Sequence, residues 1–213
     1  ISAIREIHSA FPDDKIDFSD CDSVDQWQAI AERYLEARIA KNDDEAKDLS
    51  SLFSSVPVID FNALDEQYNA ECLLASQIES AKQSFIAYLN EGAMAGLEAL
   101  LTAYGQLADF KKLEGYENAL RLGLSKALSQ ERFPDAEKIY YQFGRGYDLK
   151  TEIKEAYLAK LSQGKTMSLK FIESIYKSEG IDFTDYDEDR YLKAITEGYL
   201  TAMREERFLD AKE

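Results

Sequence analysis

Apolar residues recur at intervals of three and four along most of the chain. Ala29, Ile30, Tyr34, Leu35 and Ala37 form one such run, Ile153, Ala156, Tyr157 and Leu161 a second, and Leu169, Ile172, Ile175 and Tyr176 a third. That period lays each run along one stripe of an α-helix. Short breaks separate the runs in pairs. In one of them, Arg132-Phe133-Pro134-Asp135-Ala136, Pro134 suits the first turn of a new helix, where its missing N–H is not needed, and Phe133 is placed to pack back across the turn as a hydrophobic staple. Asp65 to Glu91 carries no break and predicts a single helix longer than the rest. Three prolines and ten glycines in 213 residues disfavour an all-β chain with frequent turns. The fold class predicted is all-α.

The pattern repeats. Sliding the chain by 165 residues superimposes Ile16–Ala46 on Ile181–Ala211 with 12 identities in 31 ungapped positions. A slide of 75 brings YENALRLGLSKALSQERFPDA, from Tyr116, onto YLKAITEGYLTAMREERFLDA, from Tyr191. A slide of 72 pairs Leu89, Gly92, Leu97 and Tyr104 with Leu161, Gly164, Leu169 and Tyr176. Each unit then reads as a helical hairpin whose apolar stripes are buried only when neighbouring hairpins stack. The expectation is one α-solenoid domain over 1–213, of about five stacked antiparallel hairpins, at 16–53, 59–105, 109–144, 148–179 and 181–213. Residues 1–11 read as the second helix of a preceding unit, since Ile4, Ile7, Ala10 and Phe11 fall in register with Leu169, Ile172, Ile175 and Tyr176, and Leu209–Glu213 as the start of another second helix. The chain therefore reads as an excerpt of a longer repeat protein.

Charge narrows the partners. Forty-one acidic residues against 25 basic ones leave a formal charge of −16, which repels phosphate backbones and anionic headgroups. Neither nucleic acid nor a membrane surface is expected as a partner. No apolar run approaches the roughly 18 residues of a membrane span, so the chain reads as soluble and cytoplasmic, with a secreted effector as the alternative. Cys21 and Cys72 stand apart and predict reduced thiols without a disulfide or a paired thiolate site.

Several stretches look like chemistry. IDFTDYDEDR (Ile181–Arg190) aligns four aspartates and repeats as IDFSDCDSVD (Ile16–Asp25). A helix-loop-helix calcium loop starting at Asp185 would need glycine where Arg190 stands and glutamate where Thr196 stands. The aspartates read instead as caps, with Asp185 or Asp187 opening the next helix and Ile181 and Phe183 packing on the preceding hairpin. AKLSQGKT (Ala159–Thr166) loosely matches a phosphate loop, but a helix rather than a strand precedes it, so Gly164 reads as a helix-ending glycine. Asp13, Asp14 and Asp17 have the spacing of a magnesium-diphosphate motif without a second acidic motif to complete it. His8, the one histidine, has no second histidine for a metal site. Gly144-Arg145-Gly146 lacks the strand a dinucleotide site requires. No metal and no cofactor is expected.

AMREERFLDA (Ala202–Ala211) and ALSQERFPDA (Ala127–Ala136) resemble the tetratricopeptide hairpin. Phe133 with Ala136, and Phe208 with Ala211, match the aromatic and the alanine of its second half. Gly123 and Gly198 stand one position out of phase with the family's small residue, Glu131 and Glu206 replace its turn glycine, and no proline closes each repeat. The resemblance implies a right-handed superhelix holding a peptide or another protein in its concave face. On that geometry the ligand-facing side chains are Gln28, Arg38, Asn118, Arg121, Ser125, Lys154, Lys193 and Arg204, with Arg121, Lys154, Lys193 and Arg204 as a cationic stripe for carboxylates or as charges balanced by neighbouring glutamates. Two functions are carried forward: a protein-interaction scaffold without catalysis, and an all-α enzyme domain binding a divalent metal through acidic residues.

Overall fold

The structure, a computed structural model, describes residues 24–54 and 59–212. The predicted helix over 1–11, the aspartates at 13–17, His8, Cys21 and the start of the upstream acidic signature lie outside them. The described chain is all-helical, without a strand among the described residues. The helices are α1 (Val24–Ile39), α2 (Asp43–Leu52), α3 (Phe61–Glu91), α4 (Met94–Tyr104), α5 (Tyr116–Ser129), α6 (Phe133–Lys138, continuing as a π-helical turn, Ile139–Phe143), α7 (Lys150–Ser162), α8 (Thr166–Tyr176), α9 (Glu188–Arg204) and α10 (Phe208–Lys212). The long helix expected from Asp65 is α3, which starts four residues earlier, where Asp60 accepts hydrogen bonds from the Asn62 and Ala63 amides at 3.0 and 3.1 Å.

The chain divides into two compact units, 1–76 and 77–213. In the first, α1 and α2 form a hairpin around Trp27, Tyr34, Ala37, Ala46, Leu49 and Phe53. The Tyr34 ring meets Phe61 of α3 edge-on at 4.9 Å.

In the second unit α7 lies between α5 and α9, while α6 packs on α5 and on α8, α8 on α7, and α10 on α9. One core cluster runs from α3 through α8 to Ile181 and Phe183 in the segment before α9. Phe85 stacks on Phe110 at 4.5 Å and meets Phe143 edge-on at 5.8 Å. Tyr157 packs on Phe183 at 4.6 Å. Phe133 also departs from a simple staple, stacking at 5.3 Å on Phe171 of the neighbouring hairpin.

Every hairpin turn has one construction. A residue with positive φ stands two positions before the first residue of the second helix: Lys41, Gly92, Glu131, Gly164 and Glu206, all between 56° and 62°. The amide that follows it bonds the carbonyl five residues back, from Asn42 to Ala37, Ala93 to Tyr88, Arg132 to Ala127, Lys165 to Lys160 and Arg207 to Ala202, at 2.8–3.0 Å. The positive-φ amide itself bonds three residues back. This is a Schellman closure, which satisfies carbonyls a helix end would otherwise leave open. Glycine adopts it without strain; a glutamate there costs about 1–2 kcal/mol.

The contacts between hairpins use two chemistries. At Gly92 the turn presses on α5 so tightly that a Cβ on Gly123 would stand 1.8 Å from the Leu89 carbonyl oxygen. Arg132 then covers the open carbonyls, donating to Glu91 and Gly92 at 2.7 and 2.6 Å and to Asp135 at 2.9 Å. The same set recurs downstream. A Cβ on Gly198 would stand 2.0 Å from the Leu161 oxygen, and Arg207 donates to the Gln163 and Gly164 carbonyls and to Asp210, at 2.6–2.7 Å. The two sets are offset by 72 residues in the turn and 75 in the helix, the offsets of the sequence repeat. At the middle junction Lys160, only 3% exposed, takes the place of the arginine. Its ammonium donates to the Ser129 carbonyl at 2.7 Å and to Glu131 at 3.1 Å, and Lys165 joins it on Glu131. The paired ammonium groups hold the Glu131 carboxyl below the usual carboxylate range.

Candidate functional site

The residues expected on a ligand-facing surface divide between the units. Gln28 and Arg38 belong to the first. Gln28 is exposed and donates to Glu32 at 2.9 Å. Arg38 is half-buried, paired with Asp43 and Asp65 at 3.1 and 3.0 Å, with its guanidinium 5.3 Å from the centre of the Tyr68 ring.

The other six stand on α5, α7 and α9. Asn118 is exposed and Ser125 half-buried. Arg121 joins two helices, donating to Glu117 at 2.8 Å within α5 and to Glu152 of α7 at 2.7 Å, and those bonds raise its already high pKa. Lys154 donates to both the carboxylate and the carbonyl of Asp185 at 2.9 Å, beside the Tyr186 ring at 5.4 Å. Both cations thus hold one hairpin to the next. A partner carboxylate would have to displace the one already in place. Lys193 is 75% exposed and only loosely paired with Glu197, at 3.9 Å, and Arg204 is exposed in the last turn of α9.

The acidic line before α9 is consumed by local work. Asp182 accepts from the Thr184 amide and hydroxyl at 2.8 and 2.7 Å, which lowers its pKa, the hydroxyl bond contributing most. Asp185 holds Lys154. Asp187 is the cap of α9, accepting from the Arg190 amide at 3.0 Å. Ile181 and Phe183 are buried. Among the described residues no three His, Cys, Asp or Glu side chains converge as metal ligands do, and no helix is long and apolar enough to cross a membrane.

Between α7 and α9 lies a groove of about 270 Å³ lined by Glu155, Leu158, Ala159, Ser162, Arg190, Lys193, Ala194 and Glu197. Its floor is apolar, since Leu158 and Ala194 are buried. The guanidinium of Arg190 grips the Glu155 carboxylate with both terminal nitrogens, which holds that carboxyl below its ordinary range. Lys193 and Glu197 stand on α9, both largely exposed. An apolar floor with separated charges above it suits side chains of a bound polypeptide. Sequence reasoning found Lys193 but missed Arg190, one helical turn earlier on the same face, and Glu155. The spacing of three was a usable signal for Arg190; Glu155 lies 35 residues away and left none. No family model, curated protein or solved structure matches the chain.

Proposed function

We propose that this chain is a stretch of α-solenoid, built of hairpins like those of tetratricopeptide proteins and wound as a right-handed superhelix, whose function is to bind a polypeptide rather than to catalyse a reaction. The observation that carries the reading is the recurrence of one junction, Gly92–Gly123–Arg132 and Gly164–Gly198–Arg207, which seats α5 on the turn after α3 and α9 on the turn after α7 in the same register. Stacks of this kind expose long surfaces made from the same position of successive units. The groove between α7 and α9 is a place where such a surface offers an apolar floor together with charge of both signs.

The partner class is a peptide whose own carboxylates and amines complement Lys193 and Glu197, beside the Arg190–Glu155 pair. Selection of peptides from a random library on the full chain, followed by titration against Lys193→Glu and Glu197→Lys variants, tests this. Selected peptides should lose tenfold or more in affinity for at least one variant. Peptides indifferent to both substitutions would remove the groove from the reading. Small-angle scattering of the full chain tests the superhelix, since a curved stack gives an elongated profile that a compact globule of 213 residues does not.

A further inference from the structure

The turns give a common count for the second helices of successive hairpins. The sixth residue after the positive-φ position is Glu98 in α4 and Glu137 in α6, and the seventh is Lys138 in α6 and Phe171 in α8. Between α4 and α6 these positions make an ion pair, with the Lys138 ammonium on the Glu98 carboxylate at 2.7 Å. Between α6 and α8 a phenyl ring takes the lysine's place. Phe171 lies nearly parallel to Phe133 at 5.3 Å and is 50% exposed. The Glu137 carboxylate, exposed on α6, is thereby left without the cation its counterpart holds, and among the described residues no other cation pairs with it.

Glu137 and Phe171 share a groove of about 380 Å³ with Phe133, Tyr141, Ser174 and Ser178. None of the described residues lining it is basic. Its far wall is fixed: the Tyr141 hydroxyl shares its proton between the Ile175 carbonyl and the Glu179 carboxylate, each at 3.1 Å, and the Ser174 hydroxyl donates to the Phe171 carbonyl at 2.9 Å. Glu179 is spent within that wall, whereas Glu137 is not.

We propose that this groove takes the side chain of an arginine from a basic partner peptide, its guanidinium flat on the exposed face of Phe171 and its N–H groups on Glu137. Charge complementarity selects the occupant. One junction upstream the chain itself supplies the cation for the counterpart carboxylate; here the carboxylate is kept and the cation is not. An aromatic ring attracts a cation held over its face. Arginine combines that stacking with a forked hold on a carboxylate, whereas lysine brings only a point charge. The formal charge of −16 draws a basic peptide toward the surface as a whole, and the ring and the carboxylate decide where it stops. The groove uses none of the residues of the one between α7 and α9, so either can fail without the other.

The test is an amide NMR titration of the full chain with the capped tripeptide acetyl-Gly-Arg-Gly-amide. Saturable shifts are expected within 133–141 and 171–178, and none at the same concentrations with the citrulline tripeptide, which keeps the shape of arginine and lacks its charge. The lysine tripeptide should bind about threefold more weakly. Glu137→Gln should weaken the arginine tripeptide about fivefold or more, with the melting temperature of the parent, because that carboxylate has no partner to lose. Glu98→Gln removes the same charge from a paired position and should leave the affinity within about twofold, as should Lys193→Glu. Phe171→Leu keeps an apolar side chain and removes the ring, and the affinity should fall about threefold. Equal shifts with the citrulline tripeptide, shifts spread over acidic residues elsewhere, or affinity indifferent to Glu137→Gln would overturn the proposal. So would concentration-dependent shifts at the same residues without peptide that Glu137→Gln abolishes, since the occupant would then be a second copy of the chain.

Discussion

Gly123→Ala reverses the usual effect of replacing a helical glycine. In a free helix the change stabilises by about 0.8–1 kcal/mol, because alanine restricts the unfolded chain and glycine does not. At Gly123 the added carbon would meet the Leu89 carbonyl oxygen at 1.8 Å, the Leu89 carbonyl carbon at 3.0 Å and the Gly92 amide nitrogen at 3.3 Å. A carbon and a carbonyl oxygen tolerate an approach of about 3.3 Å, so α5 and the Gly92 turn must separate by about 1.5 Å. Backbone cannot swing aside as a side chain can. Overpacking of this kind costs about 1–3 kcal/mol. The separation also stretches the Arg132 bonds to Glu91 and Gly92, each a charged hydrogen bond of about 1.5–3 kcal/mol. Set against the gain in propensity, the net loss is about 2–4 kcal/mol. With a urea dependence of about 2 kcal/mol per molar, the unfolding midpoint followed by circular dichroism falls by about 1–2 M. Gly198→Ala, at 2.0 Å from the Leu161 oxygen, should behave the same way. Ala159→Gly at an exposed position of α7 should cost about 1 kcal/mol, giving the ordinary scale. A Gly123→Ala midpoint equal to or above that of the parent chain would refute the close-approach account.

Other outcomes follow from the same junctions. Arg132→Lys should lose about 1–2 kcal/mol of stability in urea titration, because an ammonium cannot span two successive carbonyls and Asp135 as the guanidinium fork does; unchanged stability would mean the carbonyls need no cover. Lys160→Ala should cost about 1–3 kcal/mol, since it strips the charged hydrogen bond to the Ser129 carbonyl and one partner of Glu131 together, even though alanine is the residue at the equivalent positions Ala127 and Ala202; a neutral result would deny the ammonium its structural role. Acid should destabilise the fold. Glu131, Glu155 and Asp210 have folded pKa values lowered by Lys165 and Lys160, by Arg190, and by Thr166 and Arg207 respectively. Their contribution is therefore complete above the unfolded pKa of about 4 and is lost as pH falls through the lower folded values. Melting temperatures should be level from pH 7 to about 5 and drop below about 4; a rise there would mean that relief of the −16 repulsion outweighs the lost pairs.

The helices were legible because each carries its stripe locally, and the repeat was legible because its junctions need particular residues. Gly123 and Gly198 coincide in the sequence repeat because one carbonyl contact excludes a side chain at both. Arg132 and Arg207 coincide because one pair of carbonyls needs a fork. What stayed hidden depends on contacts across 30 residues or more. Lys160 looks like an ordinary solvated lysine on α7 until the Ser129 turn is laid against it. Arg121 and Lys154 read equally as a ligand stripe or as balanced charges, and Glu152 and Asp185, arriving from other segments, are what pair them. Phe133 looks like a staple for its own turn, and its stacking partner Phe171 belongs to the next hairpin.

The alternation of junctions has a consequence for how the chain tolerates being cut and rejoined. Glycine-lined contacts join α3 to α5 and α7 to α9, whereas the α5–α7 contact is closed by the ammonium of Lys160. The interchangeable piece is therefore two hairpins long. Excising residues 93–164 would splice Gly92 to Lys165 and bring Gly198 and Arg207 against the Leu89–Gly92 turn, a surface already shaped for them. Excising a single hairpin would set a glycine seat against a lysine. Shuffling, grafting or lengthening this protein should proceed in pairs.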